Sequence, residues 1–112
     1  MSAPTEVVGR YFAAITAHDA AAVAACFADD AVLVTAAGTF EGPAAIADFY
    51  ARTAFQFEDL RPAPGPLVVD GDRVAVEIEL FLGGATTPVA DFFTVSGERI
   101  RRLVIYTGPP PG

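Results

Sequence analysis

An α+β fold follows from three features of this 112-residue chain. Apolar residues recur with helical spacing in its first half, with strand spacing from about Phe55 onward, and Gly- or Asp-rich turns cut the second half into a meander. Helices followed by antiparallel strands pack as one layer on the other. A chain of this length builds a single core, so residues 1–112 are read as one domain.

Thr5 is the expected cap of a first helix whose stripe is Val7, Val8, Tyr11, Phe12 and Ile15, which turns Tyr11 inward. His18-Asp19 interrupts it. Asp19 then caps a second helix, Ala20 to Ala28, with Val23, Cys26 and Phe27 on its buried side, and Asp29-Asp30 ends it. Ala31 to Thr35 reads as a short strand that turns through Ala36 to Thr39 into Phe40-Glu41-Gly42. Pro43 suits the first position of a third helix carrying Ile46, Phe49 and Tyr50.

Phe55 to Leu60 is expected to open a strand, and Pro62, Pro64 and Pro66 confine the following segment to a sheet edge or bulge. Asp70-Gly71-Asp72 leads into Arg73 to Leu82, the cleanest alternation in the chain. Val74, Val76, Ile78, Leu80 and Leu82 face one way; Ala75, Glu77, Glu79 and Phe81 face the other. Gly83-Gly84 turns this strand into one centred on residue 91, and Ser96-Gly97-Glu98 turns that into Arg99 to Thr107. A tail of Gly108, three prolines and Gly112 extends neither helix nor ladder and is expected to fray.

Composition excludes several classes of partner. Hydrophobic residues make up 53% of the chain and charged ones 19%, a globular composition. Fourteen acids against seven basic residues, all arginine, give a net charge of −7, which argues against nucleic acid or an anionic membrane as partner. No run of eighteen apolar residues and no basic-then-apolar leader is present, so a cytoplasmic protein is expected. Cys26, in an apolar helix, reads as an inert core thiol. One histidine and one cysteine provide no metal cluster. Phosphate loops, nucleophile elbows and dinucleotide fingerprints are missing, so no cofactor is expected.

The residue that stands out is Asp91. Alternation puts it on one face with Val89, Phe93 and Val95 and gives it no polar company on its strand. An apolar setting costs an unpartnered polar group about 1–3 kcal/mol, and more if it is charged, so the carboxyl must find hydrogen bonds or keep its proton. A group in that position is a candidate functional acid. The opposite face of the last two strands, Phe92, Val104 and Tyr106, is also apolar, and a patch of that kind marks an interface. A homodimer across the outer sheet face is therefore expected.

Several strings resemble the NTF2-like superfamily, and within it the branch of ketosteroid isomerases and SnoaL-like polyketide cyclases. They are Gly-Arg-Tyr-Phe at 9–12, His-Asp at 18–19, Phe-Ala-Asp-Asp-Ala-Val at 27–32, Phe-Glu-Gly at 40–42, Ile-Ala-Asp-Phe-Tyr at 46–50, and Asp-Phe-Phe-Thr-Val with Arg-Ile at 91–100. The resemblance implies a cone of three N-terminal helices on a curved mixed or antiparallel sheet, enclosing an apolar pocket for a small hydrophobic molecule. Expected walls are Thr35, Phe49, Tyr50, Val74, Val76, Ile78, Leu80, Val89, Phe93, Leu103 and Ile105.

The resemblance also assigns roles. Tyr11 and Asp91 fall on the family's tyrosine and strand acid, which together donate hydrogen bonds to a developing enolate oxygen. The position of the family's general base is occupied by Thr35, whose hydroxyl cannot take a proton from carbon, and loss of a base forfeits about 10² to 10⁴ in rate. Three functions stay open on this reading. One is a cofactor-free isomerase or cyclase acting on a cyclic carbonyl compound of steroid or polyketide type through Asp91. Another is a noncatalytic binding module. The third is an epoxide hydrolase, which would need Arg99 or Arg101 beside Asp91.

Overall fold

Three helices lie on one face of a seven-stranded mixed sheet in the computed structural model, which describes residues 3–109. The elements run α1 (Pro4–Thr16), α2 (Ala20–Ala25), β1 (Phe27–Thr35), β2 (Gly38–Glu41), α3 (Pro43–Arg52), a single 3-10 turn (Ala54–Gln56), β3 (Arg61–Pro64), β4 (Val68–Asp70), β5 (Arg73–Leu82), β6 (Ala85–Ser96) and β7 (Arg99–Thr107). The sheet order is β2-β1-β7-β6-β5-β3, with β4 also pairing to β5, and the sheet is curved without closing into a barrel. All neighbours are antiparallel except β1 and β7, which run parallel.

The helical half departs from expectation at its ends. Ala3, not Thr5, is the N-cap of α1. Pro4 takes the first helical position and the Glu6 carboxylate accepts the Ala3 N–H at 3.1 Å, so Thr5 lies already inside the first turn. Asp19 caps α2 as expected, accepting from the Ala22 N–H at 3.0 Å. That helix stops at Ala25, three residues short of the expected end. Ile100 N–H donates to the Cys26 carbonyl at 2.8 Å, and Phe27 already pairs with Ile100 of β7. Sheet pairing thus takes Phe27 to Asp30 away from the helix, and Asp29 and Asp30 lie where the β1–β7 register shifts.

A similar contest decides Phe55 to Leu60, which forms the 3-10 turn and a tight loop instead of a strand. Leu60 N–H bonds the Phe57 carbonyl at 3.1 Å, and both Asp59 carboxylate oxygens accept from the next hairpin, Gly83 N–H at 2.9 Å and Gly84 N–H at 2.8 Å. The two glycines sit at φ 62° and 78°, conformations that side chains disfavour. His18, at the α1–α2 junction, is half-buried with its ring stacked on Phe55 at 5.5 Å and its Nε2 3.3 Å from the Leu60 carbonyl oxygen, so it fastens this loop.

The prolines of β3 lie at the sheet edge, as their missing N–H groups require. Gly65 continues the contact, donating to the Glu77 carbonyl at 2.8 Å in a space where an added Cβ would stand 3.2 Å from that oxygen. In β7 one extra residue, Arg101, is accommodated between the pairs Thr94–Arg102 and Val95–Ile100. That bulge lets Ile100 and Leu103, three positions apart, both point into the core with no exposure. It also carries Arg101 outward to Asp30 at 3.9 Å, so Arg101 does not stand beside Asp91 as epoxide opening would need. Of the tail, Gly108 is held by its N–H on the Pro88 carbonyl at 2.8 Å; residues 110–112 lie outside those described.

The core forms where the inner sheet face meets the helices: Val7, Val8 and Ile15 of α1, Val23 of α2 and Ile46 of α3 against Phe27, Leu33, Val74, Phe93, Ile100 and Leu103. Among the described residues, no helix is long and apolar enough to cross a membrane.

Candidate functional site

Where α1, α3 and the inner face of β5, β6 and β7 converge, the packing leaves a chamber of about 60 Å³. Tyr11, Phe12 and Ile15 come from α1, Tyr50 from α3, Ile78 and Leu80 from β5, Val89 and Asp91 from β6, and Ile105 from β7; Ala54, Leu60 and Pro62 close the side. Space of this size admits a few water molecules or the edge of a ring. A cleft of about 640 Å³ lies next to it and shares Tyr50, Ala54, Leu80, Val89 and Ile105 as walls. The cleft adds Thr35, Phe49, Arg52, Thr53, Gln56 and Phe57, among others, and falls in the range of small-molecule sites. A ligand body would fit the cleft with one functional group in the chamber.

The chemistry concentrates on three side chains. Asp91 is 3% exposed, and its Oδ1 has no hydrogen-bond partner among the described residues. Burial disfavours the ionised form and raises the carboxyl to about 7. Tyr11 and Tyr50 are joined through their hydroxyls. Burial, foremost, raises both phenols above their ordinary range; the neighbouring Asp91 charge adds to it in each case. They stay neutral donors at any physiological pH. One hydroxyl must donate to the other, which leaves one O–H of the pair for a ligand. Edge-on contacts of Tyr11 with Phe12, Phe27, Tyr50 and Phe93, at centroid distances of 5.2 to 6.2 Å, fix its ring.

The expected wall residues divide into three groups. Tyr50, Ile78, Leu80, Val89 and Ile105 border the chamber, and Thr35 and Phe49 border the cleft. Val74, Val76, Phe93 and Leu103 do not reach either space; at 1%, 3%, 1% and 0% exposure they fill the core beside it. Their strand positions face inward, but α1 lies directly on them. Phe12, Ile15, Leu60 and Pro62 line the chamber without having been singled out as walls. The helical stripe already pointed Phe12 and Ile15 inward, whereas nothing local marked Leu60 or Pro62.

Thr35 is occupied by its own turn, donating to the Gly38 carbonyl at 3.4 Å and accepting the Ala37 N–H at 3.0 Å. Arg99 and Arg101 are exposed, and no arginine lines the chamber. Cys26 is buried, which raises its thiol, so it is not a ready nucleophile. Among the described residues, no group of three or more His, Cys, Asp or Glu side chains is placed to hold a metal ion.

A small α+β cone with an apolar pocket and an acid at its floor defines a class of protein, and comparison places the chain within it. Residues 8–103 match the SnoaL-like domain, and the chain belongs to that family. Among solved structures it is similar to a candidate polyketide cyclase from Sinorhizobium meliloti, with 27% identity, 90% of this chain and 94% of that one covered, and a TM-score of 0.79. It is also similar to a protein of ketosteroid isomerase-like fold from Catenulispora acidiphila, solved with trimethylamine, at 28% identity, coverage of 90% and 84%, and a TM-score of 0.81. A candidate ketosteroid isomerase from Kribbella flavida shares the fold at 21% identity, coverage of 97% and 83%, and a TM-score of 0.80. Among curated proteins none matches significantly.

Proposed function

We propose that this protein catalyses a cofactor-independent proton transfer, isomerisation or cyclisation, on a hydrophobic cyclic carbonyl compound of steroid or polyketide type. The observation that carries the reading is the unpartnered, buried Oδ1 of Asp91 beside the Tyr11–Tyr50 hydroxyl pair. No second carboxylate shares the chamber, so Asp91 takes the part of the base. Its carboxylate accepts a proton from the carbon next to the substrate carbonyl, and the C–H electron pair becomes the enolate double bond. The carbonyl oxygen gains the negative charge and accepts the free O–H of the tyrosine pair. The enolate then either, when conjugated to a C=C bond, recovers the proton from Asp91 at the far carbon, which is isomerisation, or attacks a second carbonyl of the same molecule, whose π electrons move to its oxygen and take the proton from Asp91 as the ring closes. A carboxyl near pH 7 suits both directions of transfer.

The test is hydrogen–deuterium exchange at the carbon beside the carbonyl of bound cyclic ketones, followed by mass spectrometry. Wild-type protein should accelerate exchange and Asp91→Asn should not; equal exchange by the two would sink the reading.

A second reading is a noncatalytic binding module, favoured by the threonine at the usual base position. The trimethylamine bound by the Catenulispora protein adds a ligand class to it, since a carboxylate among aromatic rings also suits a small ammonium group. A compound that raises the melting temperature and is recovered without exchange would support this alternative. Epoxide opening gains no support, because no arginine borders the chamber.

A further inference from the structure

Among the described residues, the cleft has one charged group on its lining, Arg52, in the last turn of α3. No acid lines it, although the chain carries fourteen acids against seven arginines, so the charge at this place runs against that of the molecule. Arg52 borders the cleft and not the chamber, whereas Tyr50, two residues earlier, borders both. Asp48, one turn back, holds it: the Arg52 Nε lies 3.0 Å from Oδ2 and donates to Oδ1 at 3.2 Å. That contact engages the ε nitrogen alone. Among the described residues the two η nitrogens have no partner, and they keep four N–H donors in the fork that matches a carboxylate. The end of the helix does not call on them either. Thr53 Oγ1 donates to the Phe49 carbonyl at 2.6 Å and Gln56 Nε2 to the Ala51 carbonyl at 2.7 Å, which satisfies two of the last carbonyls without Arg52.

We infer that the compound bound here carries a carboxylate at the end remote from its reacting carbonyl, and that Arg52 selects for it; this rests on the proton-transfer reading, which puts the carbonyl in the chamber beside Asp91. The chamber, about 60 Å³, admits a ring edge and its carbonyl, so the rest of the molecule lies in the cleft of about 640 Å³. The end that enters the chamber must be neutral. A carboxylate there would lose its hydration beside the buried Asp91 with no cation in reach, since none lines the chamber. The middle of the molecule meets Phe49, Phe57, Leu80 and Leu82, which offer an anion nothing. Negative charge is therefore tolerated only at the outer end, and Arg52 is the group that stabilises it there. The polarity of the site thus decides which way round an acidic ketone binds. Because the Arg52 side chain is 78% exposed, water screens the pair, and its contribution is a few-fold selectivity that orients the molecule rather than holding it alone.

Titration calorimetry at low ionic strength tests this with two probes, the α-tetralone that carries a carboxylate para to its carbonyl and the methyl ester of that acid. Wild-type protein should bind the acid about three- to tenfold more tightly than the ester, as an exposed ion pair allows, and added salt should remove the difference. Arg52→Gln should bring the ratio to one, Arg52→Glu should invert it, and Asp48→Asn, which releases Arg52 from its pair, should widen it. Arg101→Gln makes the same change of net charge outside the cleft and should keep the wild-type ratio. Melting temperatures verify that the variants fold. A wild type with no preference, failure to bind either probe included, or a preference that survives Arg52→Gln overturns the role of Arg52. The proton-transfer reading is judged separately, by deuterium exchange beside the ketone of the same probes: Asp91→Asn should abolish exchange yet keep the preference in binding.

Discussion

The hydroxyls of Tyr11 and Tyr50, carried by two different helices, meet in a hydrogen bond inside the chamber that holds the Asp91 carboxyl. Each is the other's buried partner, so removing one leaves the other short of a bond. Tyr11→Phe and Tyr50→Phe should each destabilise by about 1–3 kcal/mol in urea unfolding, the cost of an unsatisfied buried polar group. The double variant should cost clearly less than the sum of the two. Additive losses would mean that the two hydroxyls act independently.

Stability should also report the protonation of Asp91. Its carboxyl is raised from 3.8 in the unfolded chain to about 7 in the fold. Between those values the folded state binds a proton that the unfolded state has released. The favourable contribution is therefore complete below pH 3.8, declines as pH rises through the window, and is gone above about 7. Asp91→Asn lacks this dependence. It should match wild type near pH 4 and exceed it at pH 8, by at most about 4 kcal/mol if the full shift acts. Urea midpoints for both proteins at the two pH values provide the comparison, and a constant difference between them would refute the assignment.

If Asp91 is the base, kcat/KM should rise with pH through about 7 and then stay level, since both phenols titrate above their ordinary range. Asp91→Asn should lose about 10² to 10⁴ in rate and the inflection with it. A profile that falls through neutrality would instead make protonated Asp91 the active form, a donor and not a base.

How much of this was legible in the sequence depends on whether the deciding contacts are local. The inward direction of Tyr11 and Asp91 follows from alternation and helical spacing alone, and the helix starts from the Asp19 cap and from Pro43 at a first helical position. What the sequence could not show were choices made by distant partners. Phe27 leaves its helix because Ile100 pairs with it. Phe55 to Leu60 abandons strand geometry because Asp59 is held by glycines more than twenty residues away. Val74, Val76, Phe93 and Leu103 share an inward face with the pocket residues, yet only the placement of α1 decides that they are core and not wall. Tyr50 was legible as a wall residue; its bond to Tyr11 depends on the approach of two helices that no local pattern encodes.

The Asp59 clamp provides the last prediction. Its two carboxylate oxygens accept the Gly83 and Gly84 N–H groups, and those bonds, the largest influence on the group, lower its pKa. They tie the loop that contributes Gln56 and Phe57 to the cleft to the adjacent β5–β6 hairpin. Because the folded value lies below the unfolded one, the clamp is intact at neutral pH and weakens as acid protonates Asp59 below the ordinary aspartate range. Asp59→Ala should therefore leave the core stable but accelerate amide exchange at Gly83 and Gly84 at neutral pH. It should also raise KM for a cleft-filling ligand more than it lowers kcat, since the change touches the entrance and not Asp91. Unchanged exchange at both glycines would show that the hairpin holds its shape without the carboxylate.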